Sequence, residues 1–281
     1  MRNLLIISVT VLLASGYDNV SGSDDPHGAK GFDKYHHTKG VPKLNYDSLF
    51  MEAVPINESA EGQTIIRKCI ESYGGGEKLE SLRNFRLTYR MKPYLSGDTI
   101  EVTKSFAADR KYKIVRDPHG RYEERILNGA RAWFQSLDTL MVIDSGRYKA
   151  ELFSYLTLSL PLSLENERFD EVRYGTRSGD SLSYIYMVKQ DTLMIIAGID
   201  PEDGYIKSSE GIIWQGRGHF IFINYFSDFR NFDGYIFPGY LGNVSMGLEV
   251  ARSRLEAVVV NEKIGEDEFN PNRQIQKRKS Y

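Results

Sequence analysis

From Phe85 onward the apolar residues fall on every second position, and that period holds through most of the remaining chain. Phe85, Leu87, Tyr89 and Met91 alternate with Arg86, Thr88, Arg90 and Lys92. A period of two sends successive side chains to opposite faces, so this segment reads as a strand with one apolar and one charged side. Further strands are read at 99–107, 111–116, 122–127 and 130–136, and then at 169–175, 181–189, 192–199, 204–214, 219–229, 235–240 and 255–261. The pattern amounts to roughly a dozen strands. Turn residues separate them: Ser96-Gly97-Asp98, Asp117-Pro118-His119-Gly120, Asp200 to Gly204, and Asp233-Gly234. Asn128-Gly129 is the strongest hairpin signal, because both residues tolerate the positive φ of a type I′ turn. The 18 Tyr and 14 Phe favour the same assignment, since flat side chains pack well on a pleated surface. The fold class expected is mostly β (α+β), with one large antiparallel sheet that must curl or close on itself.

Two helices stand out against this background. Ile65, Ile66, Cys69, Ile70 and Tyr73 share one face at a period near 3.6, which predicts a helix over 59–73, ended by Gly74-Gly75-Gly76. Cys69 lies on that apolar stripe and reads as a small core residue; with no second cysteine in the chain, no intrachain disulfide forms. A second helix is expected over 145–160, where Tyr148, Leu152, Tyr155, Leu156, Ser159 and Leu160 recur at helical spacing before Pro161. Phe153 and Leu158 make it apolar most of the way round, so it should be enclosed by the sheet.

The first 16 residues carry Arg2, an apolar run from Leu4 to Leu13 and then Ala14-Ser15-Gly16. This is the order of a cleaved secretory signal, and the run is too short to span a bilayer. Tyr17 stands where an exported lipoprotein has its acylated cysteine, so no direct lipid anchor is expected. N-terminal sequencing of the exported protein should therefore begin near Tyr17 with a free amine. An intact Met1 would remove the ground for placing the chain in the periplasm or outside the cell. Residues 17–57 read as a polar arm, 58–271 as one folded domain and 272–281 as a basic, flexible tail.

With 36 basic and 38 acidic residues the chain lacks the positive footprint of a nucleic-acid binder. His27, His36, His37, His119 and His219 do not fall at metal-ligand spacing, and neither a nucleophile elbow nor a phosphate-cradling loop occurs. No metal or cofactor is expected. Carboxylates such as Glu123, Glu124 and Asp138 could meet in a cleft as a hydrolase pair, but strand spacing alone gives this little support. What remains unusual is apolar excess: Thr192 to Ala197 and Phe220 to Ile223 are apolar on both faces, so both faces must be covered. A helix on one face is one cover and a ligand in a cavity is another.

The segment Arg125 to Phe134, around Asn128-Gly129 and Trp133, resembles the Asp-Gly and Trp hairpin of the LolA/LolB family of lipoprotein carriers. The run Asp200 to Ile206, then Tyr225 to Arg230 with Phe232-Asp233-Gly234, and finally Asn261 with Phe269-Asn270-Pro271, follows that family's closing half in order. The resemblance covers about 59–271. It implies an incomplete antiparallel barrel around inner helices, with an apolar cavity for acyl chains and no catalysis. One departure is that Ala107-Ala108-Asp109 stands where the carriers have a Lys-Arg-Pro whose Arg holds a helical lid shut. On this reading the cavity candidates are Leu87, Tyr89 and Met91, then Tyr112 and Ile114, then Trp133. Leu152 and Leu156 of the mid-chain helix join them, as do Tyr184, Tyr186, Trp214, Phe220 and Phe222. The expected partners are lipid or lipoprotein acyl chains; the alternative is an envelope sensor or interaction module whose groove takes polypeptide.

Overall fold

The computed structural model describes residues 45–94, 98–107, 111–117, 122–136, 139–142, 161, 164, 169–189, 193–215, 218–245 and 248–271. The expected signal segment, most of the expected arm, the expected 145–160 helix and the basic tail lie outside them. Among the described residues fourteen strands form a single sheet in which every neighbouring pair is antiparallel.

The first meander runs through β2 (Asn84–Pro93), β3 (Ile100–Ala107), β4 (Lys111–Arg116), β5 (Glu123–Asn128), β6 (Arg131–Ser136) and β7 (Thr139–Val142). The second runs through β8 (Glu171–Thr176), β9 (Ser183–Lys189), β10 (Leu193–Ile199), β11 (Ile206–Gln215), β12 (Gly218–Phe232), β13 (Tyr235–Ser245) and β14 (Leu248–Val260). A two-residue strand, β1 (Val54–Pro55), pairs with β8. The meanders are joined where β14 pairs with β2, from Val260 opposite Phe85 to Ala251 opposite Pro93. The outermost strands are therefore β1 and β7, and they do not pair with each other. The architecture is an incomplete barrel.

Turn chemistry sets the register. Asp233 and Gly234 both take positive φ, 53° and 84°, as a type I′ turn between β12 and β13 requires. At the β5–β6 hairpin the expectation is off by one residue. Asn128 is the last strand residue, opposite Arg131, and only Gly129 of that pair takes positive φ. The loop is Gly129-Ala130, because the Asn128 side-chain amide donates to the carbonyl of Phe269 and to Asn270 Oδ1, each at 3.4 Å, which holds it in the strand. Moving the two-residue loop by one position shifts the cross-strand register by two, so that Leu127 faces Ala132 and not Ala130, and each β6 side chain keeps its face.

Three helices lie in the described N-terminal part. Helix α1 (Tyr46–Glu52) is capped by Asn45, whose side chain accepts the Ser48 N–H at 3.2 Å. It falls within the stretch read as a polar arm, so the ordered domain begins about a dozen residues earlier than the sequence pattern indicates. Helix α2 (Ala60–Ser72) begins at Ser59, whose hydroxyl accepts the Gly62 N–H at 3.0 Å, and ends as Gly74 and Gly75 turn to positive φ. A short α3 (Gly76–Glu80) follows. Helix α2 is tied to the β10–β11 turn: Lys68 Nζ donates to the carbonyls of Pro201 and Glu202, Ser72 Oγ donates to the carbonyl of Asp203, and the Ile206 N–H donates to Tyr73 Oη.

The sheet carries two cores. On the inner face Ile65, Cys69 and Tyr73 of α2 join Phe85, Leu87, Tyr89, Phe106, Tyr112, Ile185, Met187, Ile195, Phe226 and Phe237. On the other face Tyr46 and Ala53, with Leu49 and Phe50 of α1, cover Tyr184, Tyr186, Val188, Met194, Ile196 and Ile212. Strands β9 and β10 are thus buried on both sides, which accounts for the two-faced apolar run at 193–197 without a ligand.

Candidate ligand-binding face

Directly opposed residues of antiparallel strands share a face, so the pairing table gives the inner wall of the first meander row by row. One row runs Phe85, Phe106, Tyr112, Leu127, Ala132. The next runs Leu87, Lys104, Ile114, Arg125, Phe134, and a third runs Tyr89, Val102, Arg116, Glu123, Ser136. Five of the residues expected at a cavity therefore come together on this wall: Leu87, Tyr89, Met91, Tyr112 and Ile114. Leu87, Tyr89 and Tyr112 are fully buried, whereas Met91 and Ile114 are partly exposed at the edge of the packed cluster. Phe222, on β12, packs partly exposed against the same inner cluster.

The other expected residues divide differently. Trp133 pairs with Ile126 and Val142; side chains alternate along β6, so with Ala132 and Phe134 on the inner wall Trp133 lies on the opposite face. Tyr184 and Tyr186 are buried on the outer face under α1. Leu152 and Leu156 lie outside the described residues. Trp214 and Phe220 sit on β11 and β12, and their side chains also lie outside what is described.

Sequence reading missed two inner-wall cations. Lys104 occupies the apolar phase of β3, between Val102 and Phe106, and is only 7% exposed. Its Nζ stands 4.9 Å from the centre of the Tyr89 ring. Burial pushes its pKa down to about 7. Arg125 lies in the same row beyond Ile114, so the two Cα positions are two strand spacings, roughly 10 Å, apart. Its guanidinium carbon is 5.3 Å from the Phe134 ring centre, and burial, reinforced by neighbouring Arg116, holds its pKa below the ordinary value. The signal was present in the alternation Ile100, Val102, Lys104, Phe106, where a lysine stands in the apolar register.

The outer face holds a different arrangement. Arg177 Nη1 meets Glu210 Oε1 at 2.5 Å, with both side chains nearly enclosed, and the guanidinium lies 3.9 Å from the Tyr184 ring centre. Burial opposes the charge on Arg177, but Glu210 more than offsets it, and the guanidinium's pKa is raised. Tyr184 hydrogen-bonds Asp180, and burial raises its pKa, as it does for Tyr46.

Of the carboxylates that could form a hydrolase pair, Glu123 and Glu124 are described and do not meet. Glu123 and Glu124 are adjacent on β5 and point to opposite faces; Glu123 pairs with Arg116 at 2.5 Å and Glu124 with Lys113 at 3.1 Å. Asp138 is outside the described residues. Among the described residues no group of three or more His, Cys, Asp or Glu is placed to hold a metal ion. No helix there is long and apolar enough to cross a membrane.

No family model and no curated protein matches the sequence. Among solved structures, a domain assigned as an outer-membrane lipoprotein-sorting protein from Vibrio parahaemolyticus is similar at 12% identity and TM-score 0.49, covering 74% of this chain and 95% of its own. A LolA superfamily protein from Nitrosomonas europaea is similar at 13% identity and TM-score 0.44, covering 74% and 97%. A DUF1329 family protein from Desulfovibrio piger is similar at 10% identity and TM-score 0.47, covering 74% and 96%. Since all three TM-scores fall below 0.5, the incomplete-barrel architecture rests on this chain's own strand order and pairing.

Proposed function

We propose that this protein is an exported, non-catalytic binder or carrier of lipid or acylated ligands, held against the inner face of the incomplete barrel. The observation that carries this reading is the wall of the first meander. There buried Leu87, Tyr89 and Tyr112 grade into partly exposed Met91 and Ile114 on a sheet whose outermost strands do not pair with each other. An apolar wall of this kind gains about 0.8 kcal/mol for each methylene it takes from water. Periplasmic or extracellular location is part of the same proposal and rests on the sequence of residues 1–16.

The test is a homologous series of fluorescent fatty acids or lysolipids titrated into the full chain. Affinity should rise about fourfold per added methylene until the site is full, and then level off. Ala132 is buried on the inner face opposite Leu127, so Ala132→Trp should shorten the longest chain accepted. If the space is already filled by protein, the same substitution only overpacks the core and lowers the melting temperature. Binding that ignores chain length, or no saturable binding by well-folded protein, overturns the carrier reading and leaves polypeptide as the ligand of this face.

A further inference from the structure

Two enclosed cations on the outer face of the described part have carboxylate partners. Lys113 reaches Glu124 at 3.1 Å on β4 and β5, and Arg177 reaches Glu210 at 2.5 Å. Lys104 is as enclosed as these, yet among the described residues its ammonium has only the Tyr89 ring and no carboxylate. Across the strands it faces Leu87 and Ile114, and along its own strand Val102 and Phe106. An ammonium in such surroundings is costly, and an apolar residue of similar volume would serve the fold better. Its presence at the apolar phase of β3 calls for an anion that the described residues do not provide.

We propose that Lys104 anchors the acidic head group of an acyl ligand, a carboxylate or a phosphate, while the chain of that ligand lies along Leu87, Tyr89, Met91 and Ile114. This rests on the carrier reading and narrows it to acidic amphiphiles. A compact ammonium accepts either oxyanion from several directions. Away from bulk water the attraction between the two charges is stronger than at an exposed site. Arg125, in the same row, adds positive potential on the same wall. A neutral head group of equal size would leave the ammonium without a partner, so the site discriminates by charge as well as by chain length.

The experiment compares three ligands with the same saturated chain, hexadecanoate, hexadecyl phosphate and hexadecanol, by calorimetry on the full chain freed of detergent. At least one of the acids should bind about tenfold or more tightly than the alcohol, and the better of the two identifies the head group. Lys104→Met should bring that acid down to the affinity of the alcohol and leave the alcohol unchanged, whereas Lys104→Arg should retain the preference. Equal affinity for acid and alcohol in the parent, or an undiminished preference in Lys104→Met, overturns the assignment of Lys104 and leaves the carrier reading standing. Failure of all three ligands to bind overturns both. Independently of any variant, hexadecanoate labelled with 13C at the carboxyl should show the resonance of an ionised group when bound at neutral pH. A protonated bound carboxyl means that no cation faces it, and the proposal fails.

Discussion

Arg177→Met should destabilise the protein by about 3–5 kcal/mol, read as a lower midpoint of urea unfolding at an unchanged slope. The cause is what the substitution leaves behind. Glu210 is enclosed between β10 and β12, with Tyr46 and Tyr225 nearby, and it loses the guanidinium that offsets its charge. The Tyr184 ring also loses the cation stacked on it at 3.9 Å, and Tyr186 loses the donor that reaches its hydroxyl from Arg177 Nε at 3.3 Å. The double substitution Arg177→Met with Glu210→Leu removes both charges together, and should recover most of the loss, because a buried pair is worth little against apolar residues of like volume. A single variant as stable as the parent would mean that the outer-face core under α1 is open to water.

Lys104→Met should act in the opposite direction, and its effect should depend on pH. The lysine's pKa falls to about 7 in the folded state, whereas the unfolded chain has the ordinary value near 10.5. Below pH 7 the group is charged in both states, and the folded state bears the full desolvation cost. Between about pH 7 and 10.5 the unfolded state binds more protons, so the parent gains stability as pH rises. Above that interval the group is neutral in both states and the cost vanishes. The methionine variant should therefore be more stable than the parent by on the order of 3–5 kcal/mol at pH 6, with the difference shrinking towards pH 10. Parallel denaturation curves at several pH values check this, and an advantage of constant size across the range would show that packing, not charge, is responsible.

How far the sequence exposes this architecture depends on how each element is buried. Strands with one covered face, such as β2 and β4, are legible because burial itself imposes a period of two. The C-terminal strand β14 starts at Leu248, seven residues before the alternation reveals it, because its inward positions there include Ala251 and Ser253, too small or polar to mark a face. Helix α1 escapes notice because seven residues hold only two turns of pattern, and its apolar Tyr46, Leu49 and Phe50 are set among charges. At the candidate site, Leu87, Tyr89 and Tyr112 follow from alternation alone. Trp133 does not, since Ala132, Trp133 and Phe134 are apolar in succession and mark no single face of β6. Lys104 was hidden by its chemistry: a lysine in a half-buried strand is ordinarily read as pointing to water.

The pairing of β14 with β2 unites residues as far as 175 positions apart, Val260 with Phe85, and every other consecutive pair within the two meanders closes locally. Loop closure over such a distance makes this seam the late and slow event of folding. Until residues 248–260 are available, the nascent chain holds two separate ribbons of strands, each with a long unpaired border. A truncation between β13 and β14 would therefore leave β2 and β13 as exposed templates for pairing between molecules, and the outcome would be aggregation, not a smaller soluble domain.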